Sequence, residues 1–485
     1  MDCGGRRPRA IESRCPGGNL NAWHKASATE LGSAFRARQV SPVEVLDQVL
    51  RQCEQVNASI NAIVTLDEVG ARQAANASEQ RFLAGEPLGA LDGVPLAIKD
   101  NLLCRGVRTT WGSSLYKNFV PAADELPVAR IRGAGAVILG KTNVPPFTLQ
   151  GYTSNAIFGT SRNPWDIRLT PGGSSGGAVA AVACGLGPIG VGTDGGGSIR
   201  RPAGYTNLVG LKPSIGSVAR GDGLPQILYD LEVIGLLART VSDVSVLYSQ
   251  LSGADSRDRR SLAAASAQLG RSTLKPARRI HLVMRFDDAP LDPQIEEAVA
   301  GAAHQLETLG YRVDDGAAPF SGRTIEDILD TIFSTGLAHI AGSADALQVD
   351  PTLAALLERG KGLSAATYLA ALDSLWELRA RADQIFGSYD FLMTPTAAAM
   401  PWPACEPYPR FIGGREVGPR GHAVYTGFVN VLGLPAISLP ASRSPTGLPI
   451  GFQLVGRFGD DARLIDAARE YERAWPWKEA WPPGI

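Results

Sequence analysis

The chain has 485 residues, 44% of them hydrophobic and 20% charged, which suits a globular protein with a sizeable core. Its 47 basic and 48 acidic residues leave a net charge of −1 and are evenly spread, so no basic stripe points to nucleic acid and no charge block to a tail. No run of 18 or more apolar residues offers a membrane span, the N-terminus lacks the apolar stretch of a secretory signal, and the dispersed Cys3, Cys15, Cys53, Cys104, Cys184 and Cys405 argue against a disulfide framework or a zinc site.

A reducing, cytoplasmic setting without metal or cofactor is therefore expected. Residues 1–25 read as a flexible polar lead-in without periodicity. Ser27-Ala-Thr-Glu30 and Ser41-Pro-Val-Glu44 have the pattern of capping boxes, the second with Pro42 at the first helical position. Val45, Leu46, Val49 and Leu50 follow at helical spacing, and a further helix is predicted over Leu66–Leu83. The pattern then changes. Leu91-Asp-Gly-Val-Pro-Leu-Ala-Ile-Lys-Asp-Asn101 predicts a turn and a short apolar strand that ends on Lys99. Asp100 follows directly, but successive side chains on a strand point to opposite faces, so it need not neutralise Lys99.

Residues 127–141 predict a helix and then a buried strand, Ala136–Gly140. Strand and turn are expected over 204–218. An apolar strand and a helix begun by Thr240 or Ser242 are expected over 230–251. Residues 253–275 read as a polar surface connection. Arg279–Met284 reads as a strand, 293–309 as a helix, 311–313 as a strand and 325–386 as largely helical. Asp390–Thr396 predicts a strand ending in a loop. Residues 397–421, rich in Pro, Trp and Gly, form a long irregular segment of the kind that often walls a binding site. Residues 434–439 and 450–455 pair as strands, and 462–474 close the chain as a helix. No clean linker interrupts this order, so one large α/β domain is expected.

Two glycine-rich turns stand out, Thr170-Pro-Gly-Gly-Ser-Ser-Gly-Gly177 and Gly192-Thr-Asp-Gly-Gly-Gly-Ser-Ile-Arg-Arg201, on either side of a small apolar run. A flexible linker would not alternate with buried-looking residues. A P-loop would end in Gly-Lys-Ser/Thr, and neither turn has that lysine. What is left is serine beside free backbone N–H groups, the arrangement acyl transfer uses. Such chemistry needs a base. The five histidines, His24, His281, His304, His339 and His422, all lie away from the turns in sequence, with His422 near the Pro-rich loop as the one that could touch a pocket. The Gly-x-Ser-x-Gly elbow is absent in its strand–turn–helix context. Lys99 is the remaining candidate.

Gly93-Val-Pro-Leu-Ala-Ile-Lys-Asp-Asn101, Lys141-Thr-Asn-Val-Pro145, Pro171-Gly-Gly-Ser-Ser-Gly-Gly177, Gly192 to Pro202 and Gly210-Leu-Lys-Pro213 resemble the amidase signature family. The likeness runs from about residue 27 to Gly456 and is strongest from 91 to 213. It implies a single domain over 26–485, with a mixed, twisted central sheet covered by helices on both sides and a variable, mostly helical region at 255–390. It also implies a Ser–cis-Ser–Lys triad: Ser198 as nucleophile, Ser174 as the cis-peptide serine and Lys99 as base. Gly195, Gly196, Gly197 and Ser198 would supply the oxyanion N–H groups, and Ser175, Asp194 and Arg200 would brace them. Thr148 matches a family pocket position; Trp111, Tyr152, Trp402 and Phe428 are further wall candidates.

Lysine is a base only when neutral, and burial at a strand end lowers its pKa. The expected activity is amide hydrolysis through an acyl-enzyme, with water as second substrate. The amide would be small or aryl, without nucleic acid or membrane as partner, and a homodimer stays open as the assembly. Carbamate (urethane) or ester hydrolysis by the same site is an alternative. So is the glutaminase-like A subunit of a tRNA-dependent amidotransferase, and so is a binding protein with a dead site.

Overall fold

The computed structural model describes residues 22–271, 278–342 and 350–485. The capping boxes form as the sequence predicts. Ser27 Oγ accepts from Glu30 N and Ser41 Oγ from Glu44 N, which start the helices Ala28–Arg36 and Pro42–Ile60. The chain is then organised by an 11-stranded sheet. Its strands are β1 (Ile63–Leu66), β2 (Pro95–Lys99), β3 (Val137–Thr142), β4 (Ile189–Asp194), β5 (Val209–Lys212), β6 (Val233–Ala238), β7 (Arg279–Leu282), β8 (Arg312–Asp315), β9 (Phe391–Pro395), β10 (Ala436–Arg443) and β11 (Pro449–Gly456). They lie side by side as β1-β3-β2-β4-β6-β5-β10-β11-β9-β7-β8.

The sheet is mixed. β2 runs parallel to both β3 and β4, β7 runs parallel to β9 and β8, and the strands between are antiparallel. Every residue of β2, β3, β4, β5, β6, β9 and β11 is buried, as strands covered by helices on both faces must be. The chain is thus a single large α/β domain. The helix Gly176–Ala183 is buried on every side, which its Gly and Ala content permits, and it carries the first glycine-rich turn onto the sheet beside β4.

Three expectations change. The helix expected from Leu66 begins at Glu68, because Ile63–Leu66 pairs with β3 as an edge strand. The surface connection expected at 253–275 contains a helix, Arg259–Arg271, where Ala263-Ala-Ala265 has the strongest intrinsic helix propensity and outweighs the scattered polar residues. The irregular segment 397–421 holds a small two-stranded ribbon, Phe411–Ile412 with Arg415–Glu416. Residues 1–21 of the predicted flexible lead-in lie outside the described residues. Its last part is tied down: Trp23–Lys25 is a 3-10 turn, and Lys25 Nζ donates to the Ile485 carbonyl at 2.9 Å. Among the described residues no helix is long and apolar enough to cross a membrane.

Candidate active site

β2 is an inner strand of the sheet and every residue of it is buried, so Lys99 at its end does not reach water. Its side chain is 0% exposed. Nζ lies 2.8 Å from Ser174 Oγ, 2.9 Å from Thr193 Oγ1 and 3.1 Å from the Thr193 carbonyl. Burial lowers its pKa from 10.5 to about 7. Glu232 and Asp194 pull against that shift, and Arg220 adds to it. The strand alternation holds: Asp100 faces the other way, accepting from Thr110 N at 3.0 Å and meeting Lys141 Nζ at 3.5 Å.

Ser174 follows a cis peptide bond from Gly173. Position 173 admits only glycine, since a β-carbon there would come within 2.4 Å of the Tyr152 carbonyl oxygen. Ser175 joins the two glycine turns. Its N–H donates to the Ser198 carbonyl at 3.2 Å and its Oγ to the Thr193 carbonyl at 3.3 Å. Ser198 is 8% exposed, at the end of the second turn.

That turn is wrapped around a buried carboxylate. Asp194 accepts from Gly197 N at 2.7 Å and Ile199 N at 3.1 Å, and from Arg200 through Nε at 3.0 Å and Nη2 at 2.9 Å. Burial by itself would raise the Asp194 carboxyl. The Arg200 guanidinium, Lys212 and the Gly197 N–H together hold it well below the usual carboxylate range. Arg200 is fixed in turn by Gln453, Asn430 and the Thr426 carbonyl. The expectation for the oxyanion donors needs one correction. The Gly197 N–H is already committed to Asp194, whereas those of Gly195, Gly196 and Ser198 have no hydrogen-bond partner among the described residues.

Of the predicted wall, Trp111 and Thr148 line a narrow crevice with Asn101, Leu228 and Glu232. Asn101 also donates to Thr193 Oγ1 at 3.0 Å, which places that crevice next to Lys99. Trp111, Phe147 and Thr148 all have φ between 51° and 60°, a cluster of left-handed non-glycine residues of the kind found at functional sites. Tyr152 and Trp402 form a separate small cluster with Tyr205, behind Gly173. Phe428 is corrected from wall to core: it is 1% exposed and packs on Phe286 and Phe320. His422 stacks on Trp402 at 4.8 Å, and no histidine bonds Ser198 among the described residues.

Sequence reasoning missed Thr193, which holds Lys99 by two oxygens although it stands inside a quoted motif. It missed Glu232, whose charge acts on Lys99 from the start of β6. It also missed Phe333 and Arg420, which approach Gly196; Arg420 lies within the irregular segment 397–421 offered as a wall, but nothing in that segment singled it out. The structure thus brings a desolvated amine to the Ser174 hydroxyl and places Ser198 on a turn with open main-chain N–H groups.

Comparisons with known proteins give the family and the fold. The model of the family described as Amidase matches residues 44–465. The chain is 36% identical to the A subunit of glutamyl-tRNA(Gln) amidotransferase from Synechococcus sp. (strain CC9605), over 91% of this chain and 94% of that one. Among solved structures it superposes on a bacterial aryl acylamidase of the amidase signature family with TM-score 0.85 at 30% identity, covering 94% of this chain and 97% of that one. It superposes on 6-aminohexanoate cyclic dimer hydrolase with TM-score 0.84 at 29% identity, covering 96% and 99%.

Proposed function

This chain belongs to the amidase signature family, and on that premise we propose that it hydrolyses carbon–nitrogen amide bonds through Ser198, Ser174 and Lys99. The observation that carries the reading is the desolvated Lys99 amine, 2.8 Å from Ser174 Oγ. A neutral amine has two N–H groups and one lone pair. The two oxygens of Thr193 take the N–H groups, which leaves the lone pair for the Ser174 hydroxyl.

In the first step Ser198 Oγ attacks the carbonyl carbon while its proton passes to Ser174, whose own proton passes to Lys99. The developing oxyanion is held by the open N–H groups of Gly195, Gly196 and Ser198. Collapse breaks the C–N bond, and the proton returns through Ser174 to the leaving nitrogen. Water then attacks the acyl-enzyme by the same relay. Ser175, Asp194 and Arg200 keep the two turns in register, and the unit that does this spans 26–485.

A second reading has its own support. Identity to the amidotransferase subunit, 36%, exceeds identity to the aryl acylamidase, 30%. On that reading the same triad works as a glutaminase in a complex with partner proteins and tRNA. A panel of anilides, aliphatic amides, carbamates, esters and glutamine, the last with and without candidate partner proteins, separates the two by kcat/KM. Hydrolysis of small amides by the chain alone supports the first, and glutamine turnover that needs a partner supports the second. A fluorophosphonate that fails to label Ser198 would sink both.

The rate should also follow the neutral fraction of Lys99. With a pKa of about 7, kcat/KM is expected to rise roughly tenfold per pH unit below that value and to level off above it. A profile flat from pH 5 to 9 counts against Lys99 as base.

A further inference from the structure

Arg420 is a charged group without a counter-ion of its own. Its guanidinium stacks on the Phe333 ring at 4.9 Å. Among the described residues no hydrogen bond or ion pair engages that group. Burial lowers its pKa, and the charges of Asp330 and Glu326 pull against that shift. Asp330 is itself paired with Arg359 at 3.5 Å. Stacking uses the flat face of a guanidinium and leaves the N–H groups along its edge free, the part that binds a carboxylate two-pronged.

The position matters as much as the free edge. A β-carbon on Gly196 would lie 3.6 Å from Arg420 Nη2 and 3.8 Å from Phe333. Arg420 therefore stands beside the main-chain N–H groups that receive the oxyanion. On its other side it lines a cavity of about 340 Å³ with Phe286, Ile325, Leu329, Ala423 and Gly427. Four acidic residues, Asp287, Asp288, Glu326 and Asp327, also line that cavity together with Arg323; Asp287 accepts from Gly322 N at 2.8 Å, Asp288 pairs with Arg415 at 3.3 Å, and the charge of Glu326 acts on Arg420. Arg201, the neighbouring guanidinium, is spent on the Gly196 carbonyl and Thr426 Oγ1. It does not supply a counter-ion, and the two cations repel: burial first and Arg420 second lower the Arg201 pKa to about 10.

We propose that Arg420 is the carboxylate-recognising residue of this site, and that the favoured substrate is an amide bearing a carboxylate close to the scissile carbonyl. The substrate class rests on the hydrolase reading above; the binding claim does not. The carboxylate could sit on either half of the amide. Glutamine and the monoamides of short dicarboxylic acids carry it on the acyl half, N-acyl amino acids on the leaving half. Neutral anilides lie outside the class.

The test has two arms, both at pH 8. The first compares kcat/KM for succinamate and glutaramate with butanamide, and for N-acetylglycine with N-ethylacetamide. The expected preference for a carboxylate in at least one pair is about 30-fold, as a charge-assisted hydrogen-bond pair provides, and is expressed in KM. In Arg420→Gln the ratio should fall to within threefold of unity. Arg420→Lys keeps the charge and loses the fork, so it should keep only part of the preference. The second arm measures calorimetric binding of succinate, glutarate and N-acetylglycine to Ser198→Ala, with and without Arg420→Gln, and needs no turnover. Binding there that is lost with Arg420 upholds the proposal even if no amide is cleaved. Cleavage of neutral amides with a ratio near one in the unsubstituted protein overturns it and leaves the hydrolase reading standing. A preference that survives in both Arg420 variants overturns it as well.

Discussion

Replacing Lys99 by methionine is expected to lower kcat by about 10⁴-fold on any substrate of this site, the upper range for losing a positioned general base. It should do so without costing the fold much. The shift of the Lys99 pKa from 10.5 to about 7 means that burial disfavours the ammonium by an amount on the order of 5 kcal/mol. Methionine fills a similar volume without that charge, and the Thr193 oxygens keep Ser175 Oγ and Asn101 Nδ2 as donors, so the main cost is the lost partner of the Ser174 hydroxyl, about 1–3 kcal/mol. That cost is no larger than the relief from the buried amine, so the variant should be no less stable than the natural protein. A general structural lesion would instead lower activity and stability together.

The pH dependence sharpens this test. Between pH 7 and 10.5 the unfolded chain binds a proton on Lys99 that the folded chain does not, so folding stability rises with pH across that window. Lys212, also buried and also lowered to about 7, adds a slope of the same sign. Urea melts at pH 7 and pH 10 should therefore show the natural protein more stable at the higher pH. Lys99→Met should show a smaller difference and Lys99→Met with Lys212→Met a smaller one still. Activity of Lys99→Met within tenfold of the natural protein would remove the base from the mechanism.

Arg200→Met is expected to be the most damaging single change to the fold around the site. It strands the Asp194 carboxylate, 0% exposed, with only main-chain N–H groups, Asn430 and a distant Lys212. Breaking one half of a buried ion pair typically costs about 3–5 kcal/mol because the other half cannot be hydrated. Here the orphaned carboxylate also organises Gly197, Ile199 and the start of the Arg200–Tyr205 helix, so the oxyanion donors should move with it. Denaturant unfolding should show the loss, and labelling of Ser198 by a fluorophosphonate should slow. Adding Asp194→Leu to Arg200→Met should recover part of the stability, since no buried charge is then left, but none of the activity. A loss below about 1 kcal/mol in Arg200→Met would show that the turn does not depend on this pair.

Much of the fold was legible because its causes are local. Ser27 and Ser41 announce helix starts through the glutamates three residues on, and both boxes close as the pattern requires. The apolar run before Lys99 reads as a buried strand and is one. The misses have local causes of their own. Ile63–Leu66 is an edge strand of four residues, too short to outweigh the helical pattern that follows it. Arg259–Arg271 hides a helix in a polar stretch, where scattered Arg, Ser and Gln obscure its period. Phe428, named as a wall candidate, is enclosed by two other phenylalanines.

By itself, then, the sequence determined the glycine-rich turns, the strand that buries Lys99 and the α/β class, which follow from the pattern of side chains along a few neighbouring residues; Ser198 and Ser174 were offered as nucleophile and relay only through the family resemblance. Only the tertiary structure decided which partners those residues meet. Asp194 takes the Gly197 N–H out of the oxyanion set. Thr193 holds an amine 94 residues away, and Arg420 arrives beside Gly196 from the far end of the chain. Contacts of that kind leave no period or spacing to read, because they arise from how the whole sheet and its helices exclude water around one another.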